Sequence, residues 1–207
     1  SAGDVGFPGF CIWTGGTTIQ LGNIVLNNPG GTSRAFVNRT GVDIYCNNLT
    51  ITTPNDQYIT SGRILDIKGN FINNGVLNAS SAGSHVRFTG SNAQAFSGTG
   101  SITATIPTLT FNNTSATGVT LNAPLGATTV NLTDGNVYTT SANLLTVYGT
   151  SPTTSLVGGG VNSFVVGPIR RTLAPGASSN YIFPVGEGTN YRSFEMIGTV
   201  TGGSGTG

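Results

Sequence analysis

Apolar residues recur along this chain in short runs of two to five positions, often alternating with threonine or asparagine. Such runs occupy residues 18–21, 24–26, 42–45, 49–52, 64–68 and 76–77, then 85–88, 109–111, 119–121, 129–132 and 144–148. Turn formers separate them: Asn28-Pro-Gly-Gly, Asn74-Gly, Asp134-Gly-Asn and Gly158-Gly-Gly. Short strands about ten residues apart, punctuated in this way, predict an all-β chain. No stretch of about eleven residues carries apolar positions at helical spacing. Gly, Thr and Asn, which recur throughout, are poor helix formers.

Two all-β architectures compete for this pattern. A β-sandwich needs longer strands with one polar face. A parallel β-helix, or β-solenoid, winds one short strand onto each face and turns at every corner. The segments starting at Leu49, Leu109, Val119, Val130 and Leu144 resemble one another, and several runs end in asparagine, as at Asn70, Asn78 and Asn122. Asparagines at equivalent corners can stack so that their amides satisfy one another. The expectation is therefore a right-handed parallel β-helix, most clearly patterned over about 15–150, with a β-sandwich as the alternative. Residues 1–150 are expected to hold the β-helical repeats and an N-terminal cap. Residues 151–207 are expected to form a small β-strand capping module, which closes in a Gly- and Thr-rich linker composition.

Composition narrows the setting. Charged residues are only 7% of the 207, against about 25% in ordinary soluble domains. Gly, Thr, Asn and Ser make up half the chain, with 32, 32, 21 and 18 residues. The formal net charge is +1, too small to steer the chain to nucleic acid. No apolar run is long enough for a membrane-spanning helix. Residues 88–133 and 135–169 carry no charge at all.

Candidate chemistry is correspondingly thin. Cys11, Cys46 and His85 cannot build a standard structural zinc site, and no cofactor motif is present. Cys11 and Cys46 are expected to form a disulfide, because the composition has an extracellular character and exported proteins keep such bridges. The seven acids, Asp4, Asp43, Asp56, Asp66, Asp134, Glu187 and Glu195, are all isolated in sequence. Glycoside hydrolysis would need two of them close together, and Asp43 and Asp66 are the two that could stack on one face. Arg170, Arg171, Glu187 and Arg192 form the densest charged group. They read either as a partner patch or as salt bridges within the terminal module. Tyr45 and Tyr58 could stack on sugars. Trp13 is expected to cover the open end of the first coil.

The runs Leu65–Ala79 and Val86–Gly100 resemble repeats in large surface proteins of Bacteroidetes, as do Leu109-Thr-Phe-Asn-Asn-Thr and Val119-Thr-Leu-Asn-Ala-Pro. Val166-Gly-Pro-Ile-Arg-Arg, Tyr181-Ile-Phe-Pro-Val-Gly and Tyr191-Arg are similar to the segment that follows those repeats. The resemblance spans roughly residues 45 to 195. It implies a β-helical architecture, export by the type IX route, and a role in adhesion or gliding. It brings no catalytic residues. The sorting domain of such proteins is not in this sequence, so a longer native chain is expected. The expected function is a structural or adhesive segment of an extracellular, cell-surface protein or fibre, not an enzyme. Its partners would be other segments of the fibre or surface glycans. The alternative is a β-helix that binds or cleaves carbohydrate.

Overall fold

The computed structural model describes residues 5–6, 17–28, 33–38, 41–176 and 178–199. After β1 (Val5–Gly6), the chain winds through coils of three short strands. The first holds β2 (Thr18–Gln20), β3 (Ile24–Leu26) and β4 (Arg34–Val37), the second β5 (Asp43–Cys46), β6 (Leu49–Ile51) and β7 (Asp56–Ile59). The third holds β8 (Ile64–Ile67), β9 (Phe71–Asn73) and β10 (Val76–Asn78), the fourth β11 (His85–Phe88), β12 (Gln94–Ser97) and β13 (Ser101–Thr103). Two-strand coils follow: β14 (Ile106–Asn112) with β15 (Val119–Leu121), then β16 (Leu125–Asp134) with β17 (Val137–Tyr138). The last part holds β18 (Leu145–Val147), β19 (Leu156–Gly158), β20 (Val165–Val166), β21 (Ile169–Arg171), β22 (Ser178–Phe183), β23 (Val185–Glu187), β24 (Asn190–Tyr191) and β25 (Phe194–Thr199).

Each strand pairs with the equivalent strand of the neighbouring coil, in parallel, which makes a β-solenoid of about 7 turns. Sheet 1 runs β2-β5-β8-β11-β14-β16-β18-β21, sheet 2 runs from β1 to β24, and sheet 3 is β4-β7-β10-β13 alone. The sandwich alternative fails on this point, because sandwiches are built from antiparallel neighbours. Along sheet 1 the inward column is Ile19, Ile44, Leu65, Val86, Leu109, Val130 and Leu156, each in register with the next. All of them are buried. The alternating pattern of the sequence follows directly, since successive side chains of a strand point to opposite faces. Aromatic rings also meet in register from coil to coil: Phe36 on Tyr58 in sheet 3 at 5.0 Å, Phe71 against Phe96 in sheet 2 at 5.2 Å, and Phe88 on Phe111 in the second inward column of sheet 1 at 5.6 Å.

Polar corners are satisfied from coil to coil. Asn23, Asn48 and Asn70 stand above one another where sheet 1 turns into sheet 2. Asn48 donates from Nδ2 to Asn23 Oδ1 (2.6 Å) and accepts at Oδ1 from the Asn70 amide (2.7 Å). Asn70 Oδ1 accepts from the Ala95 amide at 2.9 Å. The buried Gln94 and Asn113 form a second clasp. Asn113 Nδ2 donates to Gln94 Oε1 (2.7 Å), and Gln94 Nε2 donates to the carbonyls of Ile67 (2.9 Å) and Gly69 (2.6 Å). A buried polar network satisfied in this way fixes the register of the coils it joins. The Asp134-Gly135 turn closes as its sequence suggests. Gly135 has φ +75°, and a Cβ there would meet the Asn113 carbonyl oxygen at 2.0 Å.

Parallel pairing continues across residue 150. β18 and β19 flank a loop that splits one sheet 1 strand in two, and both halves pair with β16. Pairing then runs on to β21 and β23 in parallel, while β22 pairs antiparallel with β25 and β23 with β24. Arg171 joins the split coil to this terminal ribbon. It is 1% exposed and donates to the carbonyls of Ile182 (2.6 Å), Ser151 (3.2 Å) and Pro152 (3.2 Å). Its guanidinium lies over the rings of Tyr181 (5.1 Å) and Phe183 (5.7 Å). Among the described residues no helix is long and apolar enough to cross a membrane.

Because the column is continuous, truncating one buried ring is felt across three coils. Phe88→Ala is expected to lower the unfolding free energy by about 3–5 kcal/mol, read as a shift in denaturant midpoint. A loss below about 1 kcal/mol would place that ring outside a packed core.

Candidate functional site

Four charged side chains of the early coils, Asp43, Arg63, Asp66 and Arg87, meet at the outer face of sheet 1. Its register aligns Tyr45 with Asp66, Asp66 with Arg87, Arg87 with Thr110, and Thr110 with Asn131. The neighbouring outward row carries Thr18 and Asp43 and, on later coils, Ile64, His85, Thr108 and Thr129. Asp43 and Asp66, the two acids the sequence puts forward as a stacked pair, therefore do share one face on adjacent coils.

Each of these carboxylates is held by an arginine of the next coil. Arg63 meets Asp43 Oδ1 at 2.9 Å, and the Ile64 amide donates to the same oxygen at 3.0 Å. Arg87 meets Asp66 Oδ2 at 2.6 Å, and the Thr89 hydroxyl donates to Asp66 Oδ1. The Asp66 side chain is only 1% exposed. Arg87 also lies over the Tyr45 ring at 5.9 Å. Both carboxylates are thus occupied as acceptors by their neighbours, which leaves little of either open to a substrate or an activated water.

His85 completes the cluster. Its Nε2 lies 2.7 Å from Thr110 Oγ1, which also accepts from Asn131 Nδ2 at 3.0 Å. Burial, and then the Arg87 charge, push the imidazole below its ordinary value, with Asp66 and Asp43 opposing. A neutral ring can accept the Thr110 hydroxyl proton, so the trio forms a hydrogen-bonded chain across three coils.

Other residues expected to carry chemistry stand elsewhere. Tyr58 is fully buried, donates to Asn38 Oδ1 at 2.6 Å and stacks on Phe36, so it belongs to the core and offers no sugar platform. Asp56 points inward and accepts from the Asn28 amide (3.1 Å) and the Thr53 hydroxyl (3.0 Å). Among the described residues the ion pairs are Asp43–Arg63 and Asp66–Arg87. Arg170, Arg171, Glu187 and Arg192 make no salt bridge with one another, and Arg171 turns into the core. Cys46 is buried at the end of β5, where burial, with the Asp66 charge adding, pushes a thiol up to about 12. Cys11 and Trp13 lie outside the described residues, so their expected roles stay expectations.

Sequence reasoning missed Arg63 and Arg87 as partners of the acids. The signal was present in the spacing, because Tyr45, Asp66 and Arg87 follow one another at intervals of 21 residues, one coil each.

The depressed His85 value sets a pH dependence. Between the folded value and the ordinary 6.5, the unfolded chain binds more protons than the folded one, so stability falls as pH drops through that window. His85→Gln removes this contribution. The wild type should therefore lose more of its unfolding temperature than the variant between about pH 8 and about pH 5. A gap that is constant, or that moves toward the wild type in acid, would contradict a buried neutral imidazole.

Comparison with family models, with curated proteins and with solved structures finds no match for this chain.

Proposed function

We propose that this chain is a structural or adhesive segment of a larger extracellular surface protein or fibre. One observation carries the reading: the chemistry-bearing side chains of the exposed sheet 1 face bind coil to coil. Asp43 and Asp66 take arginines from the coil above, and His85 takes Thr110 and, through it, Asn131. These contacts stiffen a stack, since a solenoid's stability is the sum of its coils and the interfaces between neighbours. The neutral Thr- and Asn-rich coat and the resemblance to Bacteroidetes surface repeats support an exported, cell-surface setting. So would the expected Cys11–Cys46 bridge. In that setting the partners are further segments of the fibre or surface glycans, and export by the type IX route belongs to the same reading. Cleavage of carbohydrate is the competing reading for a β-helix with two acids on one face.

Asp66→Asn and Arg87→Ala separate the two. On the structural reading, the purified chain turns over no member of a broad polysaccharide panel. Arg87→Ala then destabilises it by about 3–5 kcal/mol, because Asp66 is left as a buried unpaired charge. Turnover by the wild type that Asp66→Asn or Asp43→Asn abolishes in a folded protein would overturn the proposal in favour of an enzyme.

A further inference from the structure

Sheet 3 stops at β13 although the solenoid continues, and this leaves a step in its side. The next coils turn from β15 into β16 and from β17 into β18 with no third strand. The step is a cleft of about 580 Å³, within the size range of ligand sites. The edge of β13 forms one wall, and the outer face of β16 and β18 forms the other, with Gly126, Thr146 and Tyr148. Phe96, Ala123 and Leu125 form its apolar floor.

Three features of the cleft specify a ligand. The Tyr148 side chain is 49% exposed, yet it has a seat: a Cβ on Gly126 would lie 2.7 Å from the Tyr148 ring and 2.6 Å from the Thr146 carbonyl oxygen. The glycine therefore lets the ring settle over the strand and present its open side to the cleft. Secondly, the β13 edge offers one backbone donor and one acceptor. The Ser101 amide bonds back to Gly75, and the parallel alternation then turns the Ile102 N–H and C=O away from β10, toward the cleft. Ala104, at φ +58°, swings the chain off the strand path immediately afterwards. A ladder for an added peptide strand is thus cut to a single rung, while one donor beside one acceptor suits a hydroxyl group, which does both. Thirdly, no charged residue lines the cleft, and Thr99, Thr105, Thr146 and the Tyr148 hydroxyl supply its side-chain polar groups.

We propose that this cleft binds a neutral saccharide, with a sugar ring on Tyr148 and sugar hydroxyls on Ile102 and the threonines. An aromatic platform with uncharged hydrogen-bonding groups fits such a ligand, whereas an anionic polysaccharide finds no counter-charge there. The inference rests on the adhesive reading only in supplying that reading with a ligand.

The test titrates the whole chain with cellohexaose, mannohexaose and laminarihexaose, with hexagalacturonate as the anionic comparison, and follows backbone amide chemical shifts. At least one neutral hexasaccharide should shift the amides of Ile102 and Gly126. Tyr148→Ala should weaken that binding about tenfold while leaving the unfolding temperature in place. Three results overturn the proposal: no shift at these amides with any neutral saccharide, equal affinity in Tyr148→Ala, or hexagalacturonate binding there as tightly. Capture of an extended uncharged peptide along β13 in place of the sugars also overturns it. None of these would touch the structural reading, which falls only if the saccharides are cleaved.

Discussion

Every coil of this molecule depends on its neighbours for backbone hydrogen bonds. A strand of three or four residues cannot pair within its own coil, because the chain turns a corner before it could fold back. Its N–H and C=O groups must find partners on the coil above and the coil below, and a buried backbone group left unpaired costs as much as a lost hydrogen bond. The register of one coil therefore fixes the register of the next. Columns of like residues follow from that, as in the aliphatic line from Ile19 to Leu156 and the paired rings of Phe88 and Phe111.

The same constraint accounts for the unusual composition. Corners of a solenoid bring polar backbone into the stack at every turn, and neutral amides meet that demand without the desolvation cost of charge. Asn23, Asn48 and Asn70 do so in series, and Gln94 with Asn113 does so inside the core. The two ion pairs among the described residues are arranged along the stack. Asp66 would be costly in its buried position without Arg87 one coil on. A face organised in this way is suited to holding coils together. The step beside β13 is the place where the stacking rule is interrupted, and there a backbone donor and acceptor are left unpaired beside an exposed ring.

Much of the fold could be read in advance because inward and outward residues alternate. Most sheet 1 strands and several of sheet 2, such as Ile24–Leu26 and Val119–Leu121, were visible as short apolar runs. Sheet 3 was not. Its strand Asp56–Ile59 points an acid and a tyrosine inward, a pattern that reads as polar surface until the Asn28 amide and Asn38 side chain are seen beside them. The meeting of Asp43 and Asp66 on one face was legible as a possibility, but their arginines emerge only once the 21-residue coil length is known, since coil length decides which residues meet. The loop at 148–155 looked like the end of a domain by composition, yet it lies within a coil whose two halves share one partner strand. Local sequence carries the facing of a side chain; only the register carries its neighbour.

The parallel coil-to-coil register is the claim on which everything else stands. Nuclear Overhauser contacts across Ile44–Leu65, Leu65–Val86 and Val86–Leu109 test it most directly. The account predicts the short Hα-to-amide contacts of a parallel ladder at each of these pairs, repeated from coil to coil. Hα-to-Hα contacts between strands adjacent in sequence, such as β5 with β6 or β8 with β9, would show antiparallel pairing and contradict it.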